Sequence, residues 1–325
     1  MQIPELHDYQ RFAVDFVKTH PKCGLFFDMG LGKALDDNTL LPTPSGYKLV
    51  KDIQIGDRLF DMDGHTTTVQ AIYKHQNKKA YQVTLDDGRS FICCNEHLIP
   101  IQINPIKRNA IRAISLQELI DLKASHPDHQ FMIPACYNTV YEEREHAIPP
   151  RLMGILIRTA TIDANGWICF TLPTDMPNPN FTQYAYALIQ NKYGHMQESP
   201  TCMYLKDVNT NNLLTAHLYK MGYQAGRPLN DQIPTEYLFD NGINRSQFLM
   251  GFFLVNEAVN PLDQLKQKCS LKSENAKIML SHIVWSLGFN CKSKYRPRLK
   301  QYELFFNDFL KICVYVCDVC VCLGV

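Results

Sequence analysis

A glycine-rich loop near the N-terminus is the first stretch whose residue types could do chemistry. The segment GLFFDMGLGK ends at Lys33 and follows an amphipathic stretch, HDYQRFAVDFVKTHP. Backbone N–H groups of such a loop can hold phosphate groups, and a lysine at its end can reach the terminal phosphates. Gly30, Gly32 and Lys33 fit these roles. A phosphate loop continues with Ser or Thr, which binds Mg²⁺, whereas Ala34 follows here.

The loop resembles motif I of superfamily-two helicases of the Swi/Snf type. Upstream, LHDYQ resembles their adenine-reading element, in which Gln10 would be the reader. The resemblance implies ATP with Mg²⁺ as the ancestral cofactor of a host helicase. Because the hydroxyl ligand is missing and no acidic metal-binding motif follows, we expect no ATP hydrolysis by residues 1–33. A chance glycine loop is the alternative.

The pattern changes at Ala34 to short β-runs, with hairpin signals at Asp63-Gly64 and Asp87-Gly88. The stretch ALDDNTLLPTPSGYKLVKDIQIGDRLFDMDG resembles the first block of an intein. GRSFICCNEHLIPI resembles the second block, whose histidine corresponds to His97. Cys94 stands where the family usually has Thr. The resemblance implies a β-rich horseshoe of the Hedgehog/intein kind.

The intein resemblance also implies a reaction at the Lys33–Ala34 peptide bond. The block histidine, His97, would act as a general acid–base on that amide, and the small residue at Cys94 would help to position the carbonyl. The first intein residue is normally a Cys or Ser nucleophile, which Ala34 cannot replace. Some inteins begin with Ala and use the residue after the intein, or an internal Cys, for the attack. We therefore expect little self-cleavage.

Two apolar segments further along share the letters Leu-Met-Gly, at 152–154 and 249–251. Each is followed by a β-like stretch and then by an amphipathic helix, so the sequence contains a divergent repeat. The segments resemble the two signature helices of a LAGLIDADG homing endonuclease, a domain with two αββ repeats. In that family small residues, here Gly154 and Gly251, let the two helices pack closely.

Each signature helix of that family ends in an acid that binds the catalytic divalent metal. Thr159 and Asn256 occupy these two positions. Neutral side chains are poor substitutes for carboxylates around a hard cation such as Mg²⁺, the ancestral cofactor. We therefore expect a folded nuclease-like domain that does not cut DNA. Two core helices of an unrelated α+β domain are the alternative.

Double-stranded DNA is the candidate partner of this domain. The segment KSKYRPRLKQY (292–302) interleaves cations with tyrosines, and such patches bind phosphates. The cations are Lys292, Lys294, Arg296, Arg298 and Lys300. A solvated charged strand explains the pattern equally well, and the net charge of +1 gives no global argument for nucleic-acid binding. A DNA-binding protein of the homing-endonuclease fold that has lost cutting is the alternative function for the chain.

The last segment, VYVCDVCVCLGV, resembles the first strand of the closing intein block, with Asp318 at its aspartate. The His-Asn ending of that block is not found in the sequence. We expect a truncated or frameshifted reading frame, or a separately encoded C-terminal part. The cysteine spacing C-x3-C-x2-C-x-C does not match paired C-x2-C zinc sites, so we expect a strand and no bound metal.

The predicted fold class is α+β with several domains. The helicase fragment is assigned to 1–33, the splicing domain to 34–105, a linker region to 106–148, the nuclease-like domain to 149–305 and the start of the closing block to 306–325. SLQELIDLKASH in the linker predicts a helix. With no signal-peptide pattern and no long apolar run, we expect a cytoplasmic protein, cellular or phage-encoded. Two repeats in one chain predict a monomer.

Overall fold

The structure is a computed structural model in which part of the chain is described. The described residues are 35–61, 64–72, 78–85, 89–102, 111–129, 131–133, 139–170, 193, 195–198, 203–206, 213–229, 232–253, 268–307 and 312–316. The predicted glycine loop, with Gln10, Gly30, Gly32, Lys33 and Ala34, lies outside these ranges, as do Asn256 and Asp318. The two Asp-Gly hairpin signals fall wholly or partly outside them as well.

Two small antiparallel pairs follow the predicted junction. They are β1 (Leu40–Thr43) with β2 (Gly46–Leu49), and β3 (Arg58–Phe60) with β4 (Thr66–Thr68); a 3₁₀ helix (Val50–Asp52) separates the pairs. Gly46 closes the first hairpin with a φ of +134°, which favours glycine. The next turn is held by the Asp57 carboxylate, which accepts from the Gln54 N–H at 2.7 Å. The intein-like first block therefore folds into short strands joined by tight turns.

A six-stranded antiparallel sheet forms the second unit. Its strands are β5 (Ala80–Leu85), β6 (Ser90–Cys94), β7 (Leu98–Gln102), β8 (Ile111–Ser115), β9 (Met132–Ile133) and β17 (Ile312–Val316), in the order β6-β5-β17-β9-β7-β8. Helix α1 (Leu116–Ser125) packs on it through Leu116 and Leu119. The Ser115 hydroxyl caps this helix by accepting from the Glu118 N–H. The helix predicted in SLQELIDLKASH is thus confirmed.

The two repeats have the predicted helix–strand–helix order. The first contains α2 (Pro150–Thr159), β10 (Ala160–Ile162), β11 (Ile168–Phe170), β12 (His195–Glu198), β13 (Met203–Lys206) and α3 (Leu213–Lys220). After α4 (Thr235–Leu238), the second contains α5 (Gly242–Phe252), β14 (Lys268–Leu271), α6 (Glu274–Ser286), β15 (Asn290–Arg296) and β16 (Gln301–Asn307). Each repeat contributes one sheet, of order β10-β11-β13-β12 and β14-β16-β15 respectively.

Local capping explains the helix ends in the second repeat. Helix α5 starts earlier than the apolar segment alone predicts, because the Asn241 side chain accepts from the Asn244 N–H at 2.8 Å. Gly288 follows α6 with a φ of +86°, which is the expected conformation of a glycine after a helix end. Gly288 therefore ends α6 in the left-handed conformation that favours glycine.

The described residues form two hydrophobic cores. The larger lies around α2, α5 and α6 and includes Leu152, Leu156 and Phe248, all fully buried or nearly so. Phe60 of β3 packs against this core from the intein-like part. The smaller core lies between the six-stranded sheet and α1. Residues 111–133, in the predicted linker region, supply β8, α1 and β9 to this second unit because their apolar side chains complete its core.

Candidate functional site

The second residue after the predicted splice junction pairs with strand β6. Leu35 forms an antiparallel bridge with Cys93, and the Asp36 N–H donates to the Ile92 carbonyl at 2.9 Å. The Leu35 side chain packs against the smaller core. This pairing brings the chain that follows Ala34 to the end of β6, next to Cys94.

Cys94 and His97, which the sequence predicts to act together, belong to one turn. The His97 N–H donates to the Cys94 carbonyl at 3.1 Å. Both side chains are almost fully buried, and the His97 ring centroid is 6.2 Å from that of Phe91. The His97 carbonyl in turn accepts from the Leu116 N–H at 2.9 Å. The first turn of α1 thus fixes the backbone at the candidate acid–base residue.

Cys93, the neighbour of Cys94, cannot serve as a thiolate at neutral pH. Its side chain is buried, and burial, helped by the nearby Cys94, raises the pKa of the Cys93 thiol to about 12. Because the thiolate is the nucleophilic form of cysteine, we assign Cys93 to packing between β6 and Leu35 and not to chemistry.

Gly154 and Gly251 lie where α2 and α5 cross. A Cβ added at Gly154 would be 2.6 Å from the Phe252 nitrogen, and one at Gly251 would be 2.8 Å from the Arg151 carbonyl carbon. Real Cβ atoms essentially never come within 3.0 Å of such neighbours. The structure therefore brings both glycines into the helix contact and leaves no room for a side chain at either.

Thr159 is the last residue of α2 and is buried. Its hydroxyl donates to the Ile155 carbonyl of the same helix at 2.8 Å. The next acid along the chain, Asp163, accepts from the N–H groups of Asn165 and Trp167, both at 2.8 Å, and so closes the turn between β10 and β11. Neither side chain is arranged as a ligand at the end of the helix.

The residues at this helix end do not fit a divalent cation. A hard cation needs several oxygen ligands, preferably anionic, whereas Thr159 offers a neutral hydroxyl already bound to backbone. In the described ranges no group of three or more His, Cys, Asp or Glu residues could hold a metal ion. Asn256, the second signature position, lies outside those ranges.

The basic residues of β15 share one face of their sheet. Lys292 stands opposite Phe305, Lys294 opposite Glu303, and Arg296 opposite Gln301 on β16. Residues directly opposite each other lie on the same face. The other face carries Cys269, Cys291 and Leu304, which are buried in the larger core. The three cations therefore lie on the face that points away from the core.

Two further cations of the predicted patch lie in the turn between β15 and β16. Arg298 and Lys300 are both exposed, and Lys300 has a φ of +48°. They extend the positive surface beyond the strand end. The structure thus brings all five predicted DNA-contact residues onto one hairpin.

A buried polar network that sequence reasoning missed lies beside α5. The Arg245 guanidinium is fully buried; its Nε donates to the Asp240 carbonyl at 2.8 Å and its Nη groups donate to Ser286 Oγ and the Thr139 carbonyl. Burial lowers the pKa of Arg245 to about 10, so it stays charged at neutral pH. The sequence gives no sign of this role, since an arginine in a helix is usually exposed.

The Asp240 carboxylate extends the network to the chain before α2. It accepts from the Arg144 N–H at 3.0 Å and from the Asn241 N–H at 2.7 Å, and it also contacts His146 Nε2. The His146 ring stacks on Tyr237 at a centroid distance of 4.3 Å. These contacts fix the segment that enters the nuclease-like domain.

The chain is similar in sequence to known replicative helicases. It is 24% identical to the replicative DNA helicase DnaB of Mycobacterium intracellulare over 280 residues, which cover 81% of this chain and 44% of the relative. The replicative DNA helicase DnaB of Mycobacterium leprae (strain TN) is 29% identical over 135 residues, or 39% of this chain and 22% of the relative. The chain thus spans less than half of either curated relative. No family model matches it.

Solved structures similar to this chain are of two kinds. The gp41-1 intein is 32% identical, covering 27% of this chain and 61% of its own, with a TM-score of 0.23. The Msm DnaB1 intein splicing domain bound with zinc is 31% identical. The match covers 25% of this chain and 60% of that domain, with a TM-score of 0.21. The homing endonuclease I-DmoI in complex with DNA and Mn is 14% identical. The match covers 49% of this chain and 88% of I-DmoI, with a TM-score of 0.34. Inteins and a homing endonuclease were both expected.

The fold is mixed α+β, as predicted, with helices and several small sheets. None of the helices in the described part of the chain has the length and apolar character that crossing a membrane requires.

Proposed function

We propose that the chain carries an intein inserted after Lys33 of a helicase-like protein, with a nested nuclease-like domain that no longer cuts DNA. The observation that carries this proposal is the bridge between Leu35 and Cys93. It brings the first residues of the insert to the strand that leads into the Cys94–His97 turn. A residue that activates the junction amide must lie close to it, and this pairing supports that arrangement.

The path of the last described strand supports an insert with a nested domain. β17 follows the second repeat in sequence but pairs with β5 and β9 of the six-stranded sheet. The chain therefore leaves the intein-like sheet, forms the two repeats and rejoins the same sheet. On this basis we propose that 34–105 and 306–325 belong to one splicing domain and that 149–305 is nested in it. The aspartate assigned to the closing block is Asp318.

The proposed chemistry divides between His97 and residue 34. His97 transfers a proton at the junction amide, while Cys94 and the turn backbone keep the carbonyl in place. Ala34 has no side-chain nucleophile, so no acyl shift can start from it. The unaltered chain should therefore stay intact.

An Ala34→Cys variant tests the splicing site directly. A thiol at residue 34 can attack the Lys33 carbonyl, which converts the peptide bond into a thioester. Added dithiothreitol then displaces that thioester and releases a product that begins at residue 34, which intact-mass measurement detects. We expect thiol-dependent cleavage in Ala34→Cys and none in the unaltered chain.

Two control variants separate site chemistry from accidental hydrolysis. Ala34→Cys combined with His97→Ala should lose the cleavage, whereas Ala34→Cys combined with Ser125→Ala, an exposed site at the end of α1, should keep it. If folded Ala34→Cys protein gives no product with thiol, the proposed splicing site is wrong.

The host protein is proposed to be a helicase that binds ATP with Mg²⁺ through Gly30, Gly32 and Lys33, with Gln10 reading adenine. The Swi/Snf-type assignment stays a prediction, because both curated relatives are replicative helicases named DnaB. One similar solved structure is an intein from a DnaB protein, so shared sequence with DnaB is consistent with an intein in both chains. Cytoplasmic location, a monomeric state and a separately encoded C-terminal part also stay predictions.

A second candidate function is duplex DNA binding without cleavage, and the positive β15–β16 hairpin favours it. Cations on one open sheet face match phosphates, so the affinity should fall steeply with added salt. We expect a gel-mobility shift of duplex DNA at low salt and no strand cleavage when Mg²⁺ is added. Lys292→Gln with Lys294→Gln should weaken the shift, whereas Lys51→Gln, an exposed lysine of the intein-like part, should not. Unchanged binding in the double variant would contradict this function.

A further inference from the structure

An arginine on the positive sheet face is held by a buried acid. Arg296 Nε donates to Glu303 Oε2 at 2.6 Å, across the diagonal between β15 and β16. The Glu303 side chain is 5% exposed, whereas the Arg296 side chain is 42% exposed. The buried Glu303 carboxylate therefore holds the guanidinium at its Nε atom, while part of the Arg296 side chain stays exposed.

The two Nη groups of Arg296 are the part of its guanidinium that is not bonded to Glu303. Neither donates a hydrogen bond to a residue in the described ranges, where Nε to Glu303 is the one side-chain bond of Arg296. The side chain lies on the same face as Lys292 and Lys294. A planar fork with fixed orientation and two open amino groups is pre-organised for bidentate recognition.

Electrostatics make a base edge a better ligand for this fork than a phosphate. The Glu303 carboxylate lies within hydrogen-bond distance of the guanidinium, so the pair carries almost no net charge. A phosphate brought to Arg296 would approach that carboxylate as well, and like charges repel. The neutral O6 and N7 acceptors of guanine avoid this repulsion and match the spacing of an arginine fork.

We propose that Arg296, oriented by Glu303, reads a guanine in the major groove of duplex DNA bound to the β15–β16 face. This inference rests on the proposed DNA contact and adds base selection to it. Lys292 and Lys294 act as phosphate contacts, which supply affinity without sequence preference. Glu303 is a positioning residue, because it acts on DNA through Arg296.

The test is selection from a pool of duplex DNA with randomised sequence, followed by sequencing of the bound fraction. The full chain is compared with Arg296→Lys, Arg296→Gln, Glu303→Gln and Lys294→Gln, after circular dichroism shows that each variant is folded. The unaltered chain should prefer guanine at one position by about tenfold or more. Arg296→Lys keeps the charge but not the fork, so this preference should disappear.

Salt dependence distinguishes base reading from phosphate binding. Lys294→Gln, the matched control directly opposite Glu303, should keep the guanine preference and reduce the salt slope by about 0.9. Arg296→Gln should lose the preference with little change in slope. Glu303→Gln should weaken the preference, because the Arg296 fork then loses the carboxylate that fixes its orientation.

Three results would overturn the proposal. If Arg296→Lys keeps the guanine preference, Arg296 does not read that base. If Arg296→Gln instead lowers the salt slope as much as Lys294→Gln does, Arg296 binds phosphate. Both results leave the proposed DNA contact intact. If the unaltered chain binds no duplex at low salt, the DNA contact itself fails, and base reading fails with it.

Discussion

The Tyr47 hydroxyl lies 2.5 Å from Nδ1 of His282, although the two residues are 235 positions apart. Tyr47 belongs to the hairpin that follows the predicted junction, and His282 belongs to α6 of the second repeat. Phe239 packs against both rings, at centroid distances of 5.3 and 5.0 Å. The nuclease-like repeats are therefore in direct contact with the intein-like hairpin, which gives them a structural role that does not depend on cutting DNA.

Stability should depend on pH through His282. Burial, with a smaller contribution from Arg245, lowers the pKa of His282 to about 4, whereas an unfolded histidine titrates near pH 6.5. Between these values the unfolded chain binds more protons, so the free energy of unfolding must fall as the pH is lowered from about 6.5 to about 4. The decrease in the free energy of unfolding that His282 causes approaches about 1.4 kcal/mol per pH unit.

Urea unfolding at pH 7, 6 and 5 measures this effect. Tyr47, Tyr141 and Arg245 face the ring. Burial moves the pKa of Tyr47 to about 12 and that of Arg245 to about 10, both outside this range. The His282→Asn variant should show a shallower pH dependence than the unaltered chain, by close to one proton. Identical pH dependence in the two proteins would show that His282 does not carry it.

Substitutions at Tyr47 should measure the contact between the two parts of the chain. Tyr47→Phe removes the hydroxyl and keeps the ring, so it should lower the free energy of unfolding by about 1 kcal/mol. Tyr47→Ala also removes the packing on Phe239 and, because Tyr47 is 41% exposed, should cost about 2 kcal/mol in all. Leu40→Ala, at an exposed site of the same hairpin, should change stability by less than about 0.5 kcal/mol. Equal effects of Tyr47→Ala and Leu40→Ala would contradict the contact.

Gly154→Ala should strongly destabilise the protein. The added methyl group would meet backbone atoms of α5, which cannot move aside as a flexible side chain can. Two packed helices must separate, and we expect a loss of about 3 kcal/mol or more. Thermal unfolding followed by circular dichroism measures it. Ile243→Ala, at an exposed site on α5, is the control; a Gly154→Ala protein as stable as this control would rule out the close helix contact.

Thr159→Asp should cost stability without restoring cleavage. The new carboxylate would be buried in place of a hydroxyl bound to the Ile155 carbonyl, at a cost of about 1–3 kcal/mol. Desolvation raises the pKa of a buried carboxyl above its unfolded value, so the variant should be less destabilised at pH 4 than at pH 8. Urea unfolding at pH 4 and pH 8 shows whether Thr159→Asp lowers the free energy of unfolding less at the lower pH.

A matched variant and a nuclease assay complete that test. Thr159→Ser keeps the hydroxyl and should stay within about 1.5 kcal/mol of the unaltered chain. Neither variant should cut duplex DNA with Mg²⁺, because the second acid position, as we propose it, holds the neutral Asn256. Metal-dependent cutting by Thr159→Asp alone would refute the proposed loss of nuclease activity.

Local signals predicted much of the fold. The Ser115 cap, the glycine after α6 and the apolar periodicity of α2 and α5 each act within a few residues, so the corresponding helices could be found in the sequence. The same locality explains what was missed. Residues 111–133 were assigned to a linker region because their core contacts lie on other strands. The network around Arg245 could not be found in the sequence because its acceptors lie on three separate segments.

The residue types alone establish which chemical groups are present: a histidine at 97, an alanine at the proposed junction, and neutral residues at the two proposed signature positions. Those identities set the expected chemistry, because no fold can supply a nucleophile or a carboxylate that the chain lacks. The folded arrangement was needed to show that Leu35 pairs with Cys93, that β17 rejoins the sheet of β5, and that Tyr47 meets His282. Such contacts depend on cooperative packing of distant segments, which short-range sequence patterns do not predict.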